Sequence, residues 1–254
     1  MIRRTFRILP ATGAMRERAL WNEGIVDWQA FREIDSVPGM SMGRKKECDA
    51  VIGDAELLLE RRDCGALASM LPRSQTWRLY GAFHRDAVFL DIETDGLGPG
   101  CEVTVVGTHD RNGTRTLVSG QDLDEESVAE LFTGASMLVT FNGSCFDVPV
   151  LRSAFPSLDL DMPHVDLRFV ARKAGLTGGL KIIERRLGLE RDEGIADVDG
   201  AEAVRMWMAW KRRGCDRSLD TLLEYNRADT MNLPLVGEKV CSILERMTLG
   251  ESDE

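Results

Sequence analysis

Apolar residues recur at helical spacing through residues 11 to 72, as in ECDAVIGDAELLLERRD, and Pro38-Gly39 and Leu71-Pro72 interrupt the pattern. From Ala87 the rhythm shortens to β-rich runs, AVFLDI, EVTVVGTH and TRTLVS, with Gly and Asn between them where hairpin turns belong. An antiparallel three-strand meander is expected. A helix over DEESVAELF follows, then a strand in SMLVTFN, a helix starting near Asp147 in FDVPVLRSAF, and a short strand in HVDL. The remainder, from about Arg168 to Met247, reads as helical. Hairpin strands followed by strand-helix units predict an α/β fold whose mixed sheet joins the meander to two parallel strands, with helices on its flanks. The expected domains are a helical N-terminal segment over 1–84 and an α/β domain over 85–247.

With 254 residues and 43% apolar content, the chain is long enough to bury a sizeable core, which argues against disorder. No uninterrupted apolar run approaches the roughly 18 residues of a membrane helix, and MIRRTFRILP lacks the apolar stretch of a secretory signal. A cytoplasmic location with no membrane contact is expected. The six cysteines are scattered, with no CxxC pair and no histidine at metal spacing, so neither a disulfide framework nor a zinc site is expected. Taken alone, the net charge of -10 argues against a nucleic-acid binder. Its distribution softens that objection, because residues 1–86 carry 14 Lys+Arg and 12 Asp+Glu, leaving 18 and 30 for residues 87–254. An acidic half of this kind invites metal.

The chemistry lies in three pieces. In FLDIETDGL the side chains of a strand alternate faces, so Asp91 and Glu93 point one way while Leu90 and Ile92 point the other. An acidic strand end before a Gly turn is the plain alternative. In LVTFNGSCFDVPVL the strand stops at Asn142-Gly143, and Asp147 falls where a helix begins, two residues before Pro149, which a first helical turn tolerates. A capping aspartate would look the same. In LLEYNRADTMNLPLV, Tyr225 and Asp229 are four apart and share a helix face, as a surface polar pair also would.

Together the acidic pair, the FD after Asn and the Tyr-x-x-x-Asp form the ordered signature of the DEDD nucleases, and the tyrosine gives the chain the look of a DEDDy member. With EYNRAD near the C-terminus, GGLKIIERRLGLER before it and FNGSCFD before that, residues 85 to 240 most resemble the YprB-type ribonuclease H-like family. The resemblance implies a ribonuclease H-like fold and a catalytic set of Asp91, Glu93, Asp147, Tyr225 and Asp229. The four carboxylates become the metal ligands, and Tyr225 orients the attacking water. Asn142 and Phe146 match the family pattern, as substrate contacts or as shapers of the turn. A histidine-type relative would carry His at position 224, which is Glu here.

Elementary electrostatics points the same way. Four gathered carboxylates repel one another, so either some protonate or divalent cations neutralise them. All-oxygen ligands favour Mg²⁺ or Mn²⁺, and two ions about 4 Å apart suit phosphodiester hydrolysis. The substrate implied is DNA or RNA with single-stranded ends. Lys181 and Arg185, within a basic stretch that also includes Arg168, Arg172, Lys173 and Arg186, are candidate phosphate contacts, a solvated helical face being the alternative. The favoured function is a metal-dependent 3'-5' exonuclease. A catalytically silent nucleic-acid-binding module and a structure-selective endonuclease remain open.

Three smaller expectations complete the reading. Asp95 is expected to be solvated, Asp166 to cap a short strand, and Pro234 to kink or end the last helix by removing the hydrogen bond to residue 230. RILPATGAMRERALWNEGIVDWQAF resembles, more weakly, a helix-hairpin-helix element that grips nucleic-acid backbone through main-chain amides, though Trp21, Ile25, Trp28 and Phe31 read as packing residues.

Overall fold

In the computed structural model, which describes residues 1–96, 98, 100–192, 194, 195 and 198–251, the chain separates into two compact units. One consists of Met1–His84 with Cys241–Glu254, the other of Arg85–Val240. Among the described residues no helix is long and apolar enough to cross a membrane. All six cysteines are free thiols.

The first unit contains α1 (Ala14–Asn22), α2 (Trp28–Glu33), α3 (Met42–Glu60), α4 (Cys64–Ser69) and α5 (Tyr80–Phe83). Asp27, Ser41 and Asp63 start α2, α3 and α4 by accepting a first-turn backbone N–H, which satisfies a donor the helix itself cannot pair. Ile25, Trp28 and Phe31 are buried, and the Trp28 indole donates to the Thr5 carbonyl at 2.6 Å. These side chains pack the unit, so they have no free ring face for a base.

The second unit is built on β1 (Ala87–Thr94), β2 (Val103–Asp110), β3 (Gly113–Val118), β4 (Met137–Thr140) and β5 (His164–Asp166). The sheet order is β3-β2-β1-β4-β5; β1, β2 and β3 pair antiparallel, while β4 pairs parallel with both β1 and β5. This is the ribonuclease H-like mixed sheet. Around it run α6 (Glu125–Leu131), α7 (Asp147–Ala154), α8 (Leu167–Lys173), α9 (Leu180–Arg186), α10 (Gly200–Arg213) and α11 (Asp216–Leu249).

The two sheet faces are covered differently. Leu90, Ile92 and Val106 pack against Val128 and Leu131 of α6 and against Val148 and Leu151 of α7. On the other face, Val105 and Val118 pack with Ala203 and Trp207 of α10 and with Leu219 and Leu222 of α11. Strand alternation therefore turns Asp91 and Glu93 toward the α10 and α11 side.

The structure sharpens the sequence reading at two elements. The strand in SMLVTFN stops at Thr140, because Asn142 takes the left-handed region at φ +71, which asparagine tolerates better than most residues. Gly143 follows tightly: a Cβ there would meet Thr140 Oγ1 at 2.5 Å. Pro234 does not end the last helix. α11 continues through it to Leu249, and the burial of Leu233, Val236 and Val240 offsets the one lost backbone hydrogen bond.

Candidate active site

Residue Asp91 lies near the end of β1 and Glu93 two places on, where the β1–β2 register shifts between Glu93 and Thr94. Such an irregularity re-aims side chains at a strand end. β1 also outruns its neighbour on the other edge, since it pairs with β4 only from Ala87 to Phe89. The N–H of Ile92 therefore has no strand partner and donates instead to Asp147 Oδ1 at 3.2 Å. That bond brings the first residue of α7 against the end of β1.

The loop that delivers Asp147 is tied down by Asp166. Its Oδ1 accepts the N–H groups of Asn142 at 2.8 Å and Arg168 at 3.1 Å, and its Oδ2 accepts the N–H and the hydroxyl of Ser144. The expected capping acid is thus also a clamp on the β4–α7 turn. Asp166→Ala should strip these bonds together and destabilise the protein by about 1–3 kcal/mol, the scale of a lost cap plus unpaired, partly buried donors. Urea unfolding measures this; a loss below about 1 kcal/mol would show that the turn holds its own shape.

On α11, Asp229 is buried and Tyr225, one turn before it on the same helix face, is half-buried with its phenol close enough to the Asp229 carboxylate for the charge there to act on it. The four acids feel one another. Burial, then the charges of Asp229, Glu93 and Asp147, push Asp91 well above the usual carboxylate range, and burial with Asp229 and Asp147 does the same to Glu93. Asp147 is raised to about 7, mainly by burial and against the pull of its backbone hydrogen bonds. Asp91 keeps a partly exposed edge although protein surrounds it closely, which leaves the group open to solvent on one side. Burial foremost, and then Asp229 and Asp91, push the Tyr225 phenol up, so it stays a protonated donor at neutral pH.

Arg191, which the sequence reading passed over, brings the opposing charge. Its side chain is 5% exposed; Nη2 donates to Glu184 Oε1 at 2.8 Å and Nε to Glu184 Oε2. Its Nη1 stands 2.5 Å from Asp229 Oδ1, an ion pair without hydrogen-bond alignment, so neither atom has a hydrogen-bond partner among the described residues. Burial opposes this charge, but Glu184 and Asp229 outweigh it and hold the guanidinium above its ordinary range. Asn232 completes the pairing of Glu184 by donating at 2.9 Å. Arg191 also lines a cavity of about 350 Å³ with Glu224, Arg227 and Met231.

A family model of the RNase_H superfamily matches residues 88–241, more than half of the chain and the whole span from Asp91 to Asp229. The chain belongs to the RNase H superfamily. No curated protein and no solved structure matches it. Membership suggests a nuclease-type activity on nucleic acid, and RNase H-like nucleases typically use divalent metals.

The donor set of this RNase H-like site fits such an ion in kind: carboxylate oxygens, crowded enough that Asp229, Glu93 and Asp147 raise the pKa of Asp91. Its present spacing is more open than a metal cage, since among the described residues no three His, Cys, Asp or Glu side chains stand together as ligands of one ion.

The other candidate residues have varied surroundings. Asn142 accepts a hydrogen bond from Arg168 through its side-chain oxygen, and Phe146 packs on the Ile92 side of the sheet. Lys181 is half-buried, with Nζ 5.1 Å from the Tyr225 ring centre and donating to the Ile195 and Val198 carbonyls. Arg185 is exposed on α9. Glu184 is buried, so the basic stretch is not one solvated face. Asp95 is partly exposed and accepts the Glu102 N–H at 2.7 Å. His109 is engaged with Thr114.

Proposed function

We propose that this protein is a divalent-metal-dependent nuclease, a 3'-5' exonuclease acting on single-stranded nucleic acid. The observation that carries the reading is the gathering of Asp91, Glu93, Asp147 and Asp229 from β1, α7 and α11, close enough that the charges of the other three help push Asp91 well above the usual carboxylate range, beside the Tyr225 phenol. A packing role gives no reason to gather so much like charge. Asp91, Glu93, Asp147 and Asp229 would hold Mg²⁺ or Mn²⁺, two ions by analogy with the resemblance noted above. Bound ions supply positive charge that acidifies water and stabilises the leaving oxygen.

The chain's own groups then divide the labour. Tyr225, protonated at neutral pH, donates a hydrogen bond that holds the attacking water in line with the phosphorus. Asp229 fixes the direction of that phenol. The Arg191 guanidinium, held by Glu184 and Asp229, and Lys181 near the same ring offset part of the negative charge that a phosphate meets in an otherwise acidic cleft.

The test is incubation of the purified chain with single- and double-stranded DNA and RNA labelled at the 5' end, in Mn²⁺, Mg²⁺ or EDTA. A ladder of stepwise shortened single strands in either metal, and intact substrate in EDTA, is expected. Internal cuts from the first time point would make it an endonuclease, and binding without turnover would make it a silent module.

A further inference from the structure

The residue next to Tyr225 is Asn226, fully buried on α11 and 135 positions from Asp91. Its side-chain Nδ2 donates to Asp91 Oδ2 at 2.8 Å and to the Asp91 backbone carbonyl at 3.2 Å. One amide thus fixes both the carboxylate and the strand that carries it. The same amide favours the ionised form of Glu93 as well as of Asp91.

Room for it is made on β2. Gly107 is the cross-strand partner of Asp91, and a Cβ added there would meet Asn226 Oδ1 at 1.9 Å and Cγ at 2.8 Å. The carboxamide lies in the space where every other residue type has a side chain. This arrangement is costly, because Asn226 Oδ1 is buried with no hydrogen-bond partner among the described residues. A leucine would fill the same space at no such cost, so the donor end of the amide carries the reason for its presence.

We infer that Asn226, seated on Gly107, is the positioning residue that sets the Asp91 carboxylate in place to receive a divalent ion. The inference rests on the proposed reading of Asp91 as a metal ligand. Partners that orient a ligating group typically change metal affinity by about 10 to 100-fold when removed.

The test measures Mn²⁺ affinity by calorimetry and the metal-free melting temperature on the full chain. Asn226→Leu, which keeps the branching at Cγ with a larger side chain and loses the donor, should weaken Mn²⁺ binding by about 10 to 100-fold. Gly107→Ala should weaken it too and lower the melting temperature, since its methyl overlaps a side chain that burial keeps from swinging away. In the Gly107→Ala, Asn226→Ala double variant the methyl occupies vacated space, so the melting temperature should recover while Mn²⁺ affinity stays low. Recovery of both together, or wild-type Mn²⁺ binding by Asn226→Leu, would overturn the inference and leave Asn226 a filler. Asp91→Asn keeps the two failures apart: if it binds Mn²⁺ as the wild type does, the metal reading itself falls, whereas weak binding there with normal binding in Asn226→Leu sinks only the positioning role.

Discussion

The Asp91→Asn variant melts above the wild-type protein without metal and below it in saturating Mn²⁺. The two signs have one origin. In the metal-free protein Asp91 shares its surroundings with Glu93, Asp147 and Asp229, and the Arg191 guanidinium is already shared between Asp229 and Glu184. Removing one charge relieves that crowding, while an asparagine oxygen still accepts from Asn226. A gain on the order of 1 kcal/mol raises the melting temperature of a chain this size by about 2–4 °C. Mn²⁺ reverses the order, because an ion that binds only the folded state at a hundredfold above its dissociation constant adds about 2.7 kcal/mol to the wild type. Scanning calorimetry of both proteins, with and without Mn²⁺, decides the matter. Equal Mn²⁺ shifts in the two would mean that the ion binds elsewhere.

Tyr225→Phe slows cleavage by roughly 10 to 1,000-fold while Mn²⁺ affinity and substrate affinity stay near their wild-type values, the scale of losing one positioned hydrogen-bonding group. The phenol is kept protonated by burial and by its acidic neighbours, so it is a donor and a poor ligand for a hard cation. Asp147→Ala should fail differently, by weakening Mn²⁺ binding itself. Single-turnover cleavage across a Mn²⁺ titration separates the two. If Tyr225→Phe cleaves at the wild-type rate, or if added metal cures it, Tyr225 is a packing residue and the tyrosine-type assignment loses its distinguishing member.

Much of the second unit was legible in the chain. The change from helical spacing to short β runs at Ala87 marks the sheet, and alternation in FLDIET turns Asp91 and Glu93 to one side because strand geometry leaves no other choice. Asp147 was legible from its place at the start of a helix, and the Tyr225-Asp229 pair from a spacing of four that puts both on one helix face. Arg191, Glu184, Gly107 and Asn226 were not. Their roles depend on contacts between elements far apart in sequence, and nothing local distinguishes a glycine that seats an amide from a glycine that weakens a strand. One signal was available: Asn226 stands beside Tyr225 on the face of α11 that the heptad-like run of Leu219, Leu222 and Leu233 buries, so a polar residue there needed a partner.

The 135-residue gap between Asp91 and Asn226 also has a temporal meaning. A chain is made from its N-terminus at about 5–20 residues per second, so β1 leaves the ribosome several seconds before α11 does. Throughout that interval the strand carries its acids without the amide that aligns them, without Tyr225 and without Asp229. The four acids of the cleft therefore come together only after the last long helix has been made.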